Sequence, residues 1–220
     1  MKAKLILSLF VLALVSGSMA DTVIGDFEDG SYDGWWTGWG TVISPVQSYA
    51  TLGAWSMKAD VTDGGWVEPM EVAILDRPDG AKLQNALATI GQVKVDVTTF
   101  FNEAEGYSWG AQLALLVNCE GKWEAYDYKD LTNGAAESLV FQLPADAMAA
   151  FGAASIWANI GFISNSAGTV SHIDDITGET IIDFQGGAIH YFDNIQIVVP
   201  EPTSLLLLGF GGLTLLARKR

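Results

Sequence analysis

The chain has 220 residues, of which 50% are hydrophobic and 17% are charged. Residues 21 to 199 hold 25 of the 26 acidic residues and 6 of the 11 basic ones, which gives this central part a net charge of −19. The charged residues outside it are Glu201, Lys2, Lys4, Arg218, Lys219 and Arg220. Such a charge repels phosphate backbones and anionic membranes, which excludes nucleic acid as a partner.

Residues 1–20 have the features of a secretory signal peptide. Lys2 and Lys4 precede an apolar run from Leu5 to Val15, and Ser18-Met19-Ala20 supplies small residues before a cleavage site at Asp21. The run has about eleven residues, whereas a permanent membrane anchor needs about 20. We therefore expect the chain to be exported and residues 1–20 to be removed.

Residues 21–198 are predicted to form one all-β domain, an antiparallel β-sandwich of the jelly-roll type. Short segments with period-two alternation are separated by Gly, Asn and Asp clusters, as in such folds. Helical periodicity is confined to Ala81–Ile90 and Ala145–Phe151. The predicted strands are Val23–Phe27, Trp55–Val61, Trp66–Leu75, Val93–Thr98, Ala111–Val117, Lys122–Tyr128, Leu139–Leu143, Ser155–Ile163, Thr180–Phe184 and Ile189–Val198.

Two carboxylates stand near the two ends of this domain. Glu28 follows the first strand and Asp193 lies in the last one. If these strands are neighbours, as in many jelly rolls, the carboxylates converge and offer the oxygen ligands that calcium prefers. Solvated side chains beside turns are the simpler interpretation. Cys119, the single cysteine, forms no intramolecular disulfide and is expected to be a buried, inert thiol.

A second set of residues suits the binding of sugars, which requires flat aromatic rings beside amides. In the strand Ser155–Ile163, alternation places Trp157 and Asn159 on the face opposite the apolar residues Ile156, Ala158, Ile160 and Phe162. Gln112 likewise lies opposite Leu113 and Leu115 in its strand. The competing interpretation is that the tryptophans fill the core, because Trp is highly buried on average.

Three motifs together resemble carbohydrate-binding modules of the galactose-binding-like jelly-roll type, nearest the family-eleven β-glucan-binding modules. They are an opening Asp26-Phe27-Glu28 before a Trp-rich loop, a middle Asp63-Gly64-Gly65-Trp66, and a closing segment from Phe192 to Ile197. The resemblance implies a structural calcium at Glu28 and Asp193 and a sugar-stacking role for Trp66. It implies a packing role for the tryptophans of the loop 35–39, which we leave out of the site.

Catalytic signatures are scarce. Glu124 and Asp127 have opposite parity in their predicted strand and should point to different faces, whereas glycoside hydrolysis needs two facing carboxylates. His172 and His190 have neither a Gly-x-Ser-x-Gly elbow nor metal-ligand spacing beside them. The chain is therefore predicted not to be an enzyme.

Residues 199–220 form a three-part tail. Pro200-Glu201-Pro202 is followed by an apolar stretch of about 15 residues, predicted to be a short transmembrane-like helix, and the chain ends in Arg218-Lys219-Arg220. The basic end should stay cytoplasmic, so the domain lies across the membrane. This tail resembles the PEP-CTERM sorting signal, which implies processing by an exosortase-type transpeptidase. A plain membrane anchor is the alternative.

These observations predict an exported, non-catalytic protein, at the cell surface or in an exopolysaccharide matrix, that binds a neutral polysaccharide. Two alternatives remain open at this point. One is a structural surface-matrix protein with no specific ligand, and the other is a divergent glycan hydrolase.

Overall fold

A computed structural model describes residues 21–37, 41–61, 66–101, 111–165, 168–173, 180–185 and 187–198. The predicted signal peptide, the sorting motif Pro200-Glu201-Pro202 and the hydrophobic segment after it lie outside these residues. Within the described part, no helix is both long enough and apolar enough to span a membrane.

The described chain is all-β with two short helices, as predicted. The strands are β1 (Thr22–Gly25), β2 (Trp35–Trp36), β3 (Thr41–Val46), β4 (Ser56–Val61), β5 (Trp66–Ala73), β6 (Gln92–Phe101), β7 (Gln112–Cys119), β8 (Lys122–Asp130), β9 (Ala136–Gln142), β10 (Ala158–Asn165), β11 (Gly168–Ile173), β12 (Thr180–Gln185) and β13 (Ala188–Ile197). The helices are α1 (Gly80–Thr89) and α2 (Ala145–Ala153), at the two places where helical periodicity predicted them.

Two antiparallel sheets form the sandwich. Sheet 1 has the order β3-β4-β13-β6-β9, with β1 also paired to β13, and sheet 2 has the order β2-β5-β10-β7-β8. Strands β11 and β12 form a separate two-stranded sheet. The first and last strands are therefore neighbours, with Thr22 opposite Ile197, as the sequence analysis supposed.

Three strands, β2, β3 and β11, were not predicted from the sequence, each for a physical reason. Strand β2 has two residues, too few to show a period. Strand β3 contains Pro45, which argues against a strand in the middle of a sheet, but β3 lies at the edge of sheet 1, where a missing N–H is tolerated. Strand β11 has the composition Gly-Thr-Val-Ser-His-Ile, without regular alternation.

Aromatic side chains from both sheets pack in the core. The ring of Phe162 in β10 lies 5.1 Å from that of Phe192 in β13 and 6.0 Å from those of Trp35 and Phe141. Trp35, in the tryptophan-rich loop segment, is thus a packing residue. Cys119 is buried, as predicted, and burial raises the pKa of its thiol to about 11.

A buried histidine links the two sheets by hydrogen bonds. His190 of β13 is fully buried, with Nδ1 2.9 Å from Oγ1 of Thr99 and Nε2 2.7 Å from Oγ of Ser164. Thr99 belongs to sheet 1 and Ser164 to sheet 2. Burial lowers the pKa of His190 to about 3, so the imidazole is neutral at physiological pH.

Candidate functional site

The outward face of sheet 2 gathers most of the exposed aromatic rings. Strand alternation sends Leu113, Leu115 and Val117 of β7 into the core, so the residues between them stand on the opposite side of the sheet. We call this outward side the aromatic face. Of the seven exposed aromatic residues in the described part of the chain, five lie on it or at its border: Trp36 (37% exposed), Trp66 (53%), Trp123 (63%), Tyr128 (52%) and Trp157 (40%).

The strand register places these residues at both ends of the face. One row across the sheet consists of Trp66, Asn165, Gln112 and Asp130. Six residues further along β10, another row consists of Ala73, Asn159, Asn118 and Trp123. At 3.3 Å per residue, the two rows are about 20 Å apart.

At the first end, two rings meet above the sheet. Trp66 of β5 and Tyr128 of β8 make an edge-to-face contact with ring centroids 5.2 Å apart. Strands β10 and β7 lie between β5 and β8, so the two side chains extend toward each other across the aromatic face. Trp36 lies opposite Glu71, which pairs with Gly161 between these two rows. Trp157 directly precedes β10.

A hydrogen-bonded carboxylate lies between the aromatic ends. Glu71 accepts the amide of Asn159 at Oε1 and the amide of Asn118 at Oε2, both at 3.0 Å, and it is only 5% exposed. In the row of Trp66, the Gln112 amide donates to Asp130 at 2.7 Å. Each of these amides is therefore oriented by a carboxylate, which fixes its position on the face.

Gly161 permits the close approach of β5 and β10 at the middle of the face. A Cβ atom on this residue would lie 2.6 Å from the carbonyl oxygen of Met70 and 3.0 Å from Cα of Glu71. Both are backbone atoms, which cannot move aside without disturbing the register. A side chain at position 161 would thus displace Glu71 and the amides that bond to it.

The strands of the aromatic face carry no outward-facing basic residue. The structure describes all six Lys and Arg residues of the domain, and none of them occupies an outward position in the strands of sheet 2. Two belong to sheet 1 (Lys58 and Lys94), two to the region of α1 (Arg77 and Lys82), and two to positions of β8 that face the core (Lys122 and Lys129). Burial, with the nearby charge of Glu71, raises the pKa of Glu68 to about 7. The face is therefore neutral to acidic and suits uncharged ligands.

All four ligand-binding residues predicted from the sequence lie on or beside this face: Trp66, Gln112, Trp157 and Asn159. The predicted inward direction of Ala158, Ile160 and Phe162 is confirmed, since all three are buried in the core. The same prediction was wrong for Ile156, which is 82% exposed because β10 begins only at Ala158.

Sequence reasoning missed Trp36, Asn118, Trp123, Tyr128 and Glu71. It also misplaced Asp127. A β-bulge between Leu113 and Leu115, with Asp127 at a φ of 56°, adds one residue to β8 and shifts its alternation. Asp127 consequently pairs with Lys129 at 2.7 Å, on the same side of the strand as Glu124. The predicted opposite orientation of Glu124 and Asp127 was therefore wrong.

Glu28 and Asp193 both hold the segment 47–55, which connects β3 to β4. The carboxylate of Glu28 accepts the backbone N–H groups of Ala54 at 2.9 Å and Trp55 at 3.2 Å. That of Asp193 accepts those of Thr51 at 2.7 Å and Leu52 at 2.8 Å. The opening and closing parts of the domain are thus tied to one shared segment.

As placed, both carboxylates accept backbone N–H groups. The described residues contain no group of three or more His, Cys, Asp or Glu side chains able to hold a metal ion. Calcium at Glu28 and Asp193 stays a prediction from the sequence.

Chelation tests that prediction directly. Calcium at about 100 times its dissociation constant would stabilise the domain by about 2.7 kcal/mol, so EDTA should lower the melting temperature by about 5 to 10 °C. Glu28→Gln and Asp193→Asn should each abolish most of this shift, whereas Asp127→Asn should preserve it. A melting temperature that does not respond to EDTA would show that calcium does not stabilise the domain, and that Glu28 and Asp193 hold the segment 47–55 through their hydrogen bonds.

Comparison with known proteins identifies the tail. Residues 198–220 match the PEP-CTERM protein-sorting motif, at the place where the sequence predicted it. A comparison with curated proteins found no match.

Several solved carbohydrate-binding modules are similar in structure. The CBM22-1 xylan-binding domain of Xyn10C from Paenibacillus barcinonensis has 13% identity and a TM-score of 0.49, with 82% of this chain and 96% of that one covered. The C-terminal family 22 module of Clostridium thermocellum Xyn10B has 14% identity and a TM-score of 0.46, with 78% and 89% covered. A structure described for carbohydrate-binding modules of the β-sandwich superfamily has 16% identity and a TM-score of 0.46; the match covers 81% of this chain but only 62% of that one, less than two thirds of its length.

These similar structures do not confirm the nearer resemblance to family eleven, since two of them are described as family 22. The comparisons and the fold together establish the fold class and the sorting motif. The protein is an all-β sandwich with a PEP-CTERM protein-sorting motif at residues 198–220, and this motif marks it as an exported protein sorted to the cell envelope or surface.

Proposed function

We propose that this protein binds a neutral polysaccharide on the aromatic face of sheet 2 and does so without catalysis. The observation that carries the proposal is the collection of five exposed aromatic rings on, or at the border of, one face of one sheet. Exposed apolar groups normally occur singly, and a concentrated patch marks a binding surface. A structural matrix protein with no ligand would not need to concentrate its tryptophans in this way.

The chemistry of the face matches that of a sugar chain. Aromatic rings stack on the apolar faces of pyranose rings, while amides and carboxylates bond to the hydroxyl groups. Trp66 and Tyr128 at one end, and Trp123 and Trp157 at the other, flank Glu71 and its two asparagines. The separation of about 20 Å suits several linked sugar units rather than one.

Charge favours an uncharged polymer. The domain has a net charge of −19, and of its six basic residues only Arg77 borders the aromatic face, in a pocket with Trp36 and Ala73. Its guanidinium donates to the carbonyl of Asp33 and pairs with Asp79. An acidic polysaccharide would be repelled by this net charge, because Arg77 is already paired with Asp79. The sorting motif supports the same proposal from the other end of the chain, because processing by an exosortase-type transpeptidase would deliver the domain to a polysaccharide-rich surface.

Replacing one ring should weaken binding strongly. We expect Trp66→Ala to reduce the affinity for the best neutral oligosaccharide on a glycan array about 10- to 100-fold, because an aromatic anchor that becomes buried on binding contributes about 1.4 to 2.8 kcal/mol. Isothermal titration calorimetry measures the change, and Trp66→Phe should retain part of the affinity. Val140→Ala, an exposed apolar residue of sheet 1, serves as the control and should bind normally.

The hydrolase alternative has one observation in its favour, the two carboxylates Glu68 and Glu71 on β5, one of which has a raised pKa. The same preparations should therefore be assayed for release of reducing sugar. Release that Glu68→Gln abolishes would replace binding by hydrolysis, and unchanged affinity in Trp66→Ala would remove the aromatic face from the function.

A further inference from the structure

The outward face of sheet 1 has an aromatic cluster of its own. The ring of Tyr49 lies 4.5 Å from that of Tyr191 and 5.0 Å from that of Phe100, and the last two are 6.1 Å apart and perpendicular. Tyr191 points outward because its neighbours in β13, His190 and Phe192, are buried between the sheets. These three rings form a compact apolar surface outside the core.

Tyr49 is held at this surface in a conformation that costs free energy. Its φ of 56° lies in the left-handed region, which a tyrosine occupies at a cost of about 1 to 3 kcal/mol. Its ring nevertheless remains 50% exposed, so burial only partly offsets that cost. The strained residue follows β3 in the segment 47–55, which Asp193 and Glu28 fix by backbone hydrogen bonds. The ring is therefore positioned in advance, as a binding residue needs to be.

Polar groups border the rings on the adjacent strand. Lys58 stands opposite Tyr191 in the register and Asp60 opposite Ile189, and the two side chains form an ion pair at 2.9 Å. An ammonium group has three donors and a carboxylate has several lone pairs, so both retain capacity for ligand hydroxyl groups. Rings and hydrogen-bonding groups are thus side by side, as on the aromatic face.

The charge of the domain narrows the choice of occupant. A second copy of this domain would bring another net charge of −19 to the surface, and anionic polymers would be repelled in the same way. A ligand with apolar ring faces and hydroxyl groups but no charge meets no such barrier. Neutral sugars have this chemistry.

We propose that Tyr49, Phe100 and Tyr191 form a second surface for a neutral glycan, on the opposite side of the sandwich from the aromatic face. The identity of the ligand class rests on the proposed function. Because the outward faces of the two sheets point away from each other, one molecule would hold two polysaccharide chains and cross-link them. Two linked sites also raise the avidity for a polymer without any new contact.

The test uses cellohexaose and xylohexaose as soluble probes and the matching soluble polymers for cross-linking. Backbone NMR of the domain should show two separate groups of shifted resonances, one near Trp66 and one near Tyr49. Light scattering of the polymer should rise with the unmodified protein. We expect Tyr49→Ala to lower affinity at the second group at least 10-fold and to abolish the scattering, while binding near Trp66 persists.

Leu52→Ala is the matched control, because Leu52 is an exposed apolar residue of the same segment. It should cross-link normally. Tyr191→Leu, measured with the melting temperature of each variant, separates loss of the surface from unfolding. Binding near Trp66 alone, or full scattering with Tyr49→Ala, overturns the second surface and leaves the proposed function intact. Binding of neither probe at either surface overturns both.

Discussion

Replacing Asp193 with alanine should lower the free energy of unfolding by about 2 to 4 kcal/mol. The carboxylate is fully buried, and it accepts hydrogen bonds from the backbone N–H groups of Thr51, Leu52 and Asn194 and from the hydroxyl of Thr51. Hydrogen bonds to a charged acceptor contribute about 1.5 to 3 kcal/mol each but are not additive. For a domain of this size, the loss corresponds to about 5 to 15 °C in melting temperature.

Urea unfolding followed by tryptophan fluorescence measures the change. Asp60→Ala is the matched control, because Asp60 forms an exposed ion pair with Lys58, and such pairs contribute at most about 1 kcal/mol. Relief of repulsion from Asp96, which lies opposite Asp193 in the register, offsets part of the loss. A change no larger than that of Asp60→Ala would show that the segment 47–55 is not held by this carboxylate.

The gain of stability with rising pH between pH 4.5 and 6.5 should become smaller when His190 is replaced by glutamine. The native state keeps His190 neutral down to a pKa of about 3, whereas the unfolded chain takes up a proton below about 6.5. The unfolded state therefore binds more protons in this window, and stability falls as the pH drops, by at most about 1.4 kcal/mol per unit.

Glu68 acts in the opposite direction. Its native pKa of about 7 exceeds the ordinary value of 4.5, so the native state holds the extra proton and stability falls as the pH rises through the same window. Because Glu68 is only half-buried, solvent screening makes its effect smaller than that of His190. The unmodified domain should thus gain modest stability with rising pH.

Urea midpoints at pH 4.5, 5.5 and 6.5 test both contributions. Glu68→Gln should steepen the gain of stability with pH, and His190→Gln should flatten it. His172→Gln, which replaces the only other histidine, is the control. Comparing each variant with the unmodified protein removes the common effect of the acidic residues. Parallel curves for His190→Gln and the unmodified domain would contradict a neutral, buried imidazole.

Period-two alternation predicted the candidate site best in the central strands. Strands β10 and β7 have neighbours on both sides, so each side chain faces either the core or the aromatic face, and Asn159 and Gln112 could be assigned from the sequence. The edge strand β8 carries no such constraint. Trp123 and Glu124 are both exposed there, so no apolar alternation distinguishes the face on which Trp123 lies.

The polar centre of the face could not be read from the sequence, because its partners are distant along the chain. The buried carboxylate of Glu71 is stabilised by hydrogen bonds from the side-chain amides of Asn118 and Asn159, which are 47 and 88 residues away in the sequence. The same applies to the carboxylates at 28 and 193. Their approach to one region followed from the pairing of first and last strands, but the backbone N–H groups of the segment 47–55 that they bond to have no sequence signal.

The position of β13 determines how the domain would bear mechanical tension. This ten-residue strand lies between β4 and β6, and it leads directly to the C-terminal segment. A chain attached through its C-terminus while a polymer pulls on the sheets would be loaded along β13, at right angles to the hydrogen bonds of both ladders. Those bonds would then resist together in shear rather than open one after another, so attachment through β13 would make the domain resistant to stretching.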